Sequence, residues 1–385
     1  MNIRTITIGC NLTPSFTKNI YEQYAAFTGS AKDHFQDHGY HVQTVRLATQ
    51  PWSRYFSSEQ QFFSLIDDLE EWTKSLEIDY VSIGPASEPD HLSLIPRILE
   101  RAPHCFCTVS LCTKNQINYE TVRQAASLFK QISRLDKQGF TNLRFAALCN
   151  PRPNTPFFPT AFHKGPSPAF GIGTENSDLL SEAFQKAKTV LAASQRLHDL
   201  FSEYLVSLEE VAQLFSKNKH IRYHGIDPSI CPSCDPKHSI ASAFEHIGVG
   251  SFGGPGTLTV AKMITETLQS IEIKQCGYSG LMLPVLEDYG LAQKNSEGRF
   301  SVQDLLLYSS VCGTGLDTIP LPGDVTEETL YALLLDLASL SLKLQKPLSA
   351  RLMPIPGKKA GEMTTFDFEY FVNSVIMNIE KDMNS

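Results

Sequence analysis

Five apolar, strand-like runs alternate with amphipathic segments through the first 150 residues, and that alternation restricts the fold more than any other feature of the chain. "RTITIGC" (4–10) precedes a helical stretch near 17–38, and "YHVQTVRLA" (40–48) precedes one near 58–75. "DYVSIGPA" (79–86) leads to "HLSLIPRILERA" (91–102), "HCFCTVSLC" (104–112) leads to a helix near 117–137, and "NLRFAALCN" (142–150) is the fifth strand. Strands that alternate with helices imply right-handed βαβ units and a parallel sheet.

The pattern then breaks. "PRPNTPFFPTAFHKGPSPAFGIG" (151–173) has six prolines and no helical period, so it reads as a long connector or functional loop. A helical region spans 177–217, after which alternation resumes with more glycine. Strands are expected at "IRYHGID" (221–227), "SGLMLPV" (279–285), "LDTIPL" (316–321) and "PLSARLMPI" (347–355). The expected object is one α/β domain over 1–385, a parallel α/β barrel. Its first half-barrel is about 1–150, the connector and helices 151–217, and its second half-barrel 218–385. Strands at 4–9, 80–84, 143–148 and 222–227 should run parallel, with the chemistry at their carboxyl ends.

With 42% hydrophobic residues in 385, the chain can bury a large core. The net charge of −8 is spread without a basic run, which argues against nucleic acid as partner. "MNIRTITIGCNL" has no apolar signal region, and "LYALLLDLASLSLKL" (330–344) is too short to span a bilayer and is broken by Asp336. A soluble, cytoplasmic protein with no membrane partner is expected. The odd number of cysteines, nine, with several in apolar runs, fits small buried thiols in a reducing compartment.

Several residues stand out as candidates for chemistry. "GVGSFG" (248–253) spells a dinucleotide fingerprint but follows a helix where a strand is required. What it retains is a tight turn. Gly253, Gly254 and Gly256 admit the backbone into a helix at Thr257, and free N–H groups there would hold a carboxylate or phosphate. The competing reading is a plain helix-to-helix turn with Thr257 as N-cap. "CPSC" (231–234), with His224 and His238 nearby, has the arithmetic of a zinc site, but a loop with two incidental thiols is the preferred reading.

Asp227 ends a strand, where a barrel places working residues; otherwise it forms an Asx-turn with Ser229. His163 lies in the proline-rich loop as a candidate acid-base group. Asp317 follows Gly313 and Gly315, and Cys312 opens the same turn as a candidate nucleophile or small buried thiol. Glu287 and Asp324 are candidate ligands for a divalent cation. Each also has a structural reading, Glu287 in a helix's first turn and Asp324 as the N-cap of a capping box with Glu327. Lys358, with Lys359, ends a strand and is placed to hold an anion. Arg351, inside that strand, needs an acidic partner if it faces inward, Asp317 or Asp324.

Taken together, "IRTITIG" (3–9), "FFPTAFH" (157–163), "HGID" (224–227), "SIASAFEHIGVGSFGGPGTL" (239–258), "YSGLMLPVLED" (278–288), "YSSVCGTGLDTIPLPGD" (308–324) and "LSARLMPIPGKKAGE" (348–362) resemble the domain of unknown function 711, uncharacterised protein family 0210. The resemblance implies a fold similar to the pyruvate formate-lyase (glycyl-radical enzyme) barrel, with about ten strands in two halves, and a homodimer. In that fold a finger-like loop enters the centre, and "VCGTGLD" (311–317) is the candidate for it. One departure stands out: "PSICPSCDPKH" follows "GID" where the family has an apolar, alanine- and proline-containing run.

Radical chemistry does not come with the fold. No Arg-Val-x-Gly-Tyr/Phe-type segment stands near the C-terminus, and Cys312 has no adjacent cysteine. The function expected is therefore a non-radical metabolic enzyme acting on a small polar, anionic metabolite. Asp227, Cys312, Asp317 and His163 would be its acid-base or nucleophilic groups. Gly253, Gly254, Gly256, Thr257, Arg351 and Lys358 would hold the substrate, with a divalent cation as the candidate cofactor. The alternative is a ligand-binding or regulatory protein that uses the same pocket without chemistry.

Overall fold

A computed structural model describes residues 2–13, 16–55, 58–113 and 115–379. Its strands are β1 (Asn2–Cys10), β2 (His41–Thr49), β3 (Tyr80–Ala86), β4 (Cys105–Ser110), β5 (Cys112–Thr113), β6 (Gln116–Ile117), β7 (Phe145–Cys149), β8 (Ala169–Glu175), β9 (Arg222–Asp227), β10 (Gly315–Pro322) and β11 (Leu348–Ile355). Nine form one sheet in the order β10-β11-β7-β4-β3-β2-β1-β8-β9, and β5 and β6 make a small separate ribbon.

The five strands expected in the first half are present, and β1, β2, β3, β4 and β7 are all parallel. Each of the four crossovers between them carries at least one helix. Helix Tyr119–Ser133 shows the logic: Asn118 caps it by accepting the Thr121 N–H at 3.2 Å. Val122, Ala125, Ala126, Phe129 and Ile132 then recur at helical spacing and are buried. Phe129 meets Phe145 of β7 edge-on at 4.8 Å. Burying a ring of this size stabilises the fold by roughly 1.5–3 kcal/mol.

The second half corrects the all-parallel expectation. β8 pairs antiparallel with β1, and β11 antiparallel with β7. β8–β9 and β10–β11 are parallel pairs, so the strand at 222–227 runs opposite to those at 4–9, 80–84 and 143–148. The sheet is mixed and mostly parallel. β8 lies inside the segment read as loop. Gly171 and Gly173 hide its pattern: a Cβ at Gly173 would sit 2.8 Å from the Phe157 ring, so the packing partner of this strand is a loop.

The strand expected at 279–285 is present only as isolated bridges. Ile226 bridges Gln275, Ile230 bridges Leu281 and Pro284 bridges Asp317, so this irregular segment runs between β9 and β10. No ladder of hydrogen bonds closes the sheet there. The segment 311–317, the candidate finger, passes from a buried turn into the first residues of β10. Cys312 packs in the apolar core, Gly313 lies so close to Gly280 that a side chain on either would collide, and the Gly313 N–H donates to the Leu281 carbonyl at 2.6 Å. Among the described residues no helix is long and apolar enough to cross a membrane.

Candidate functional site

The sheet curls around one cavity of about 300 Å³, lined by residues of β1, β2, β3, β4, β7, β10 and β11. In the first half the lining comes from the amino-terminal parts of β1, β3, β4 and β7 and from the middle of β2. Arg46 pairs with Tyr80, the first residue of β3, and Phe106 and Ala146 are the second residues of β4 and β7. The second half adds Asp317, the third residue of β10, Ser349 and Arg351 from the first half of β11, and Cys231 beyond the carboxyl end of β9, so the lining of this cavity is not confined to the strands' carboxyl ends.

Three predicted residues meet here. Arg351 of β11 faces inward; its Nε donates to Asp317 at 2.6 Å, and an Nη donates to Glu287 at 2.5 Å. All three side chains are largely buried, with 11–16% exposure. β10 supplies Asp317, and the irregular segment before the helix Tyr289–Ser296 supplies Glu287. Burial pushes the Glu287 carboxyl above its ordinary range, against the opposing pull of Arg351. The two carboxylates hold Arg351 charged, above its usual pKa, despite burial.

The other predicted residues lie outside the lining of this cavity. Asp227 is fully buried and accepts from four donors: Ser229 N–H at 3.1 Å, Ser229 Oγ at 2.6 Å, Tyr278 N–H at 2.8 Å and Ser279 N–H at 3.0 Å. The Asx-turn is real, and the carboxylate also clamps the segment 277–279. Gly277, at φ +66°, is required because a Cβ would strike that carboxylate. Burial raises the Asp227 pKa while its hydrogen bonds oppose the shift.

His163 is buried beside Gly9, near His224, and burial lowers its pKa. The glycine turn spends its amides on itself. Gly253 N–H donates to Thr257 Oγ1 at 3.0 Å, Gly254 N–H to the Ser251 carbonyl at 3.0 Å and Thr257 N–H to the Gly254 carbonyl at 3.2 Å. Gly256, not Thr257, takes the N-cap position. Lys358 sits in the turn after β11, where its carbonyl accepts from Gly323 N–H at 2.9 Å. Asp324 is exposed and does not cap the next helix. Thr326 does, accepting from Thr329 N–H at 3.0 Å. Glu287 and Asp324 are therefore not brought together at the cavity.

Around the thiols, Cys231 lines the cavity and donates to the Thr174 carbonyl at 3.2 Å; burial pushes its pKa well up. Cys234 is half-buried, and burial pushes it up to about 11. His238 is exposed, 3.5 Å from Asp235. Among the described residues no group of three or more His, Cys, Asp or Glu side chains is placed to hold a metal.

Sequence reasoning missed Arg4 and Arg46, because Arg4 is near the amino end of β1 and Arg46 in the middle of β2, away from the carboxyl ends. A signal was available: a charged residue inside an otherwise apolar strand must face a partner, solvent or a cavity. Arg4 lies 3.6 Å from Glu175 and over the Tyr370 ring at 5.2 Å. Arg46 lies over Tyr80 at 5.6 Å and over Phe158 at 5.1 Å. Burial, with Arg4 nearby, lowers the Arg46 pKa to about 10.

The family model described as Uncharacterised ACR (DUF711) matches residues 1–372. A UPF0210 protein of Limosilactobacillus reuteri is 24% identical over 396 residues, which cover 95% of this chain and 88% of that protein. A UPF0210 protein of Halothermothrix orenii is 26% identical over 402 residues, with the same two coverages. A match over nearly the whole length, together with relatives of the same extent, places the chain in the Uncharacterised ACR (DUF711) family.

Proposed function

We propose that this chain is a non-radical enzyme that performs acid-base chemistry on a small anionic metabolite held in the central cavity. The observation that carries this reading is the Glu287–Arg351–Asp317 cluster on the cavity wall. Two carboxylates around one guanidinium form a proton-handling unit whose members sit in different environments. Burial favours the protonated form of Glu287, the state a general acid needs. Arg351 stabilises negative charge that develops beside it. The volume suits a metabolite-sized ligand and not a polymer. Cys312, packed in the core, takes no part in this version of the reading.

The same reading includes a sheet closed into a barrel through the segment 275–284, a homodimer and a cytoplasmic protein. The three isolated bridges support the first. The family resemblance supports the second, and nine free cysteines, most of them buried, motivate the third.

One observation favours the alternative of a non-catalytic binder: both carboxylates already accept from Arg351, which leaves neither as an unengaged base. Incubating the protein with a pool of anionic metabolites and following loss and gain by mass spectrometry separates the two. Turnover that disappears in Glu287→Gln and Asp317→Asn, with ligand still raising the Tm of those variants, supports the enzyme. A ligand that raises the Tm of the unmodified protein and is never converted defeats it.

A further inference from the structure

We propose that Arg46 is the anion-anchoring residue of this cavity, and that the ligand is a small organic acid whose carboxylate or phosphate group bears an apolar, ring-sized body. The proposal deepens the reading above by naming the ligand class of the same cavity. It starts from an asymmetry among the three arginines that line it. Arg351 is held by two carboxylates and Arg4 lies 3.6 Å from Glu175. Among the described residues Arg46 has no carboxylate within 4 Å.

A guanidinium carries five N–H donors. Arg46 spends Nε on Thr44 Oγ1 at 3.0 Å, and that hydroxyl donates onward to the Arg4 carbonyl at 2.8 Å. This chain of bonds fixes the direction of the side chain. The Nη groups, which make a two-pronged contact with a carboxylate or phosphate, have no acceptor among the described residues. A cation taken out of water without a counter-ion is costly, and desolvation is the main influence on its acidity here. An oxyanion supplied by a ligand would complete the pair. Four carboxylates stand on the wall: Glu287 and Asp317 are engaged by Arg351, Asp79 accepts the Val45 N–H at 2.7 Å, and Glu369 is exposed and forms no ion pair with Arg46 among the described residues.

The body of the ligand follows from what surrounds the head. Arg46 lies over Tyr80 and Phe158. Phe106 meets Phe158 edge-on at 5.3 Å and Tyr80 edge-on at 5.2 Å. An anion bound at Arg46 therefore has aromatic walls beside it, which favour a flat apolar group. Inorganic ions lack that contact, and long chains exceed a cavity of about 300 Å³.

The test uses binding alone, so that its failure is distinct from failure of the enzymatic reading. Benzoate, phenyl phosphate, acetate, inorganic phosphate and the neutral benzamide are titrated into the full chain by calorimetry and thermal shift. Benzoate or phenyl phosphate should bind at least about tenfold more tightly than acetate, phosphate and benzamide. The better of the two tells a carboxylate head from a phosphate head. Arg46→Gln keeps N–H donors and bulk without charge and should weaken that binding about tenfold or more, with Arg46→Lys in between. Circular dichroism and the ligand-free Tm confirm that both variants are folded. The proposal is overturned if benzamide binds as well as benzoate. It is also overturned if folded Arg46→Gln or Arg46→Lys matches the parent affinity, or if no aryl anion binds the parent at millimolar concentration. Binding without any turnover of metabolites sinks the enzymatic reading and leaves the subsite in place.

Discussion

Glu287 and Asp288 are neighbours in the chain, yet they serve two different regions of the molecule. Asp288 is fully buried and accepts from five donors: Ser239 Oγ at 2.7 Å, Ile240 N–H at 2.8 Å, Leu291 N–H at 3.0 Å, and Ala241 and Ser233 N–H groups at 3.4 Å. It ties the start of the helix Ile240–Phe244 to the start of the helix Tyr289–Ser296. Glu287 instead faces the cavity and answers a single arginine. The first is a carboxylate saturated by backbone, like Asp227. The second belongs to a charged cluster beside empty volume. Asp288 and Asp227 hold loops through several donors each, whereas Glu287 and Asp317 share the one guanidinium of Arg351 on the cavity wall.

The largest effect should come from the saturated side. Asp288→Ala strands five donors in a dry interior, and each unsatisfied group costs about 1–3 kcal/mol before relaxation. We expect a loss of about 3–5 kcal/mol, seen as a lower urea midpoint. A change under about 1 kcal/mol would erase the distinction between the two regions.

On the cavity side, Arg351→Met leaves Glu287 and Asp317 buried without their cation and should cost about 3–4 kcal/mol. The contrast lies in the rescue. Adding Glu287→Gln and Asp317→Asn removes the stranded charges and should recover most of that loss, because neutral groups beside a cavity can find water. No companion substitution should rescue Asp288→Ala so simply. A triple variant as unstable as Arg351→Met would show that the cluster is structural in the same sense as Asp288.

A third place sharpens the comparison through pH. Burial, then Arg222, Lys274 and His163, lowers His224 to about 4, and burial also lowers His163. Folded values below the ordinary 6.5 mean that the unfolded chain binds more protons in that interval. Their contribution is complete above pH 6.5 and is lost as pH falls toward 4. Glu287 works in the opposite direction. Its raised folded value favours the acid form, so its contribution is complete below its ordinary 4.5 and fades as pH rises through the folded value. Between these limits His224→Asn should flatten the rise of stability with pH, and Glu287→Gln should steepen it. The slopes are under about 1.4 kcal/mol per pH unit for one group, and less for His224, which water partly screens. Urea midpoints measured from pH 4.5 to 7 decide it; slopes that shift in the same direction would contradict the assignment.

The first half of this fold was legible because its strands are apolar, β-branched and separated by helices of clean period. β8 was not, because Gly171 and Gly173 interrupt its apolar pattern, the prolines just before it read as loop, and its face packs on Phe157 of a loop. Strand direction was not legible either: two antiparallel pairings turn half of the sheet over, and nothing in a local pattern records that. Looking at carboxyl ends favoured Asp227, which lies outside the cavity lining, and passed over Arg4 and Arg46, which line the cavity from the start of β1 and the middle of β2. The pairing of Arg351 with Asp317 survived, because it rested on a local requirement: an inward arginine needs an acid.

The smallest effect belongs to Cys231 and Cys234, which stand beside both regions. Cys231 touches the cavity and donates to the Thr174 carbonyl, while Cys234 approaches the Glu287 carbonyl at 3.6 Å. A serine hydroxyl donates to a carbonyl at least as well as a thiol does and is slightly smaller. The double Cys231→Ser/Cys234→Ser variant should therefore keep its stability within about 1 kcal/mol of the parent. Among the described residues no group of three or more His, Cys, Asp or Glu side chains surrounds these thiols, and His238 lies 3.5 Å from Asp235. Chelator treatment should then leave the Tm unchanged, and elemental analysis should find no stoichiometric zinc. A loss of several kcal/mol in the double variant, accompanied by one zinc per chain in the parent, would make the C-x-x-C a structural metal site.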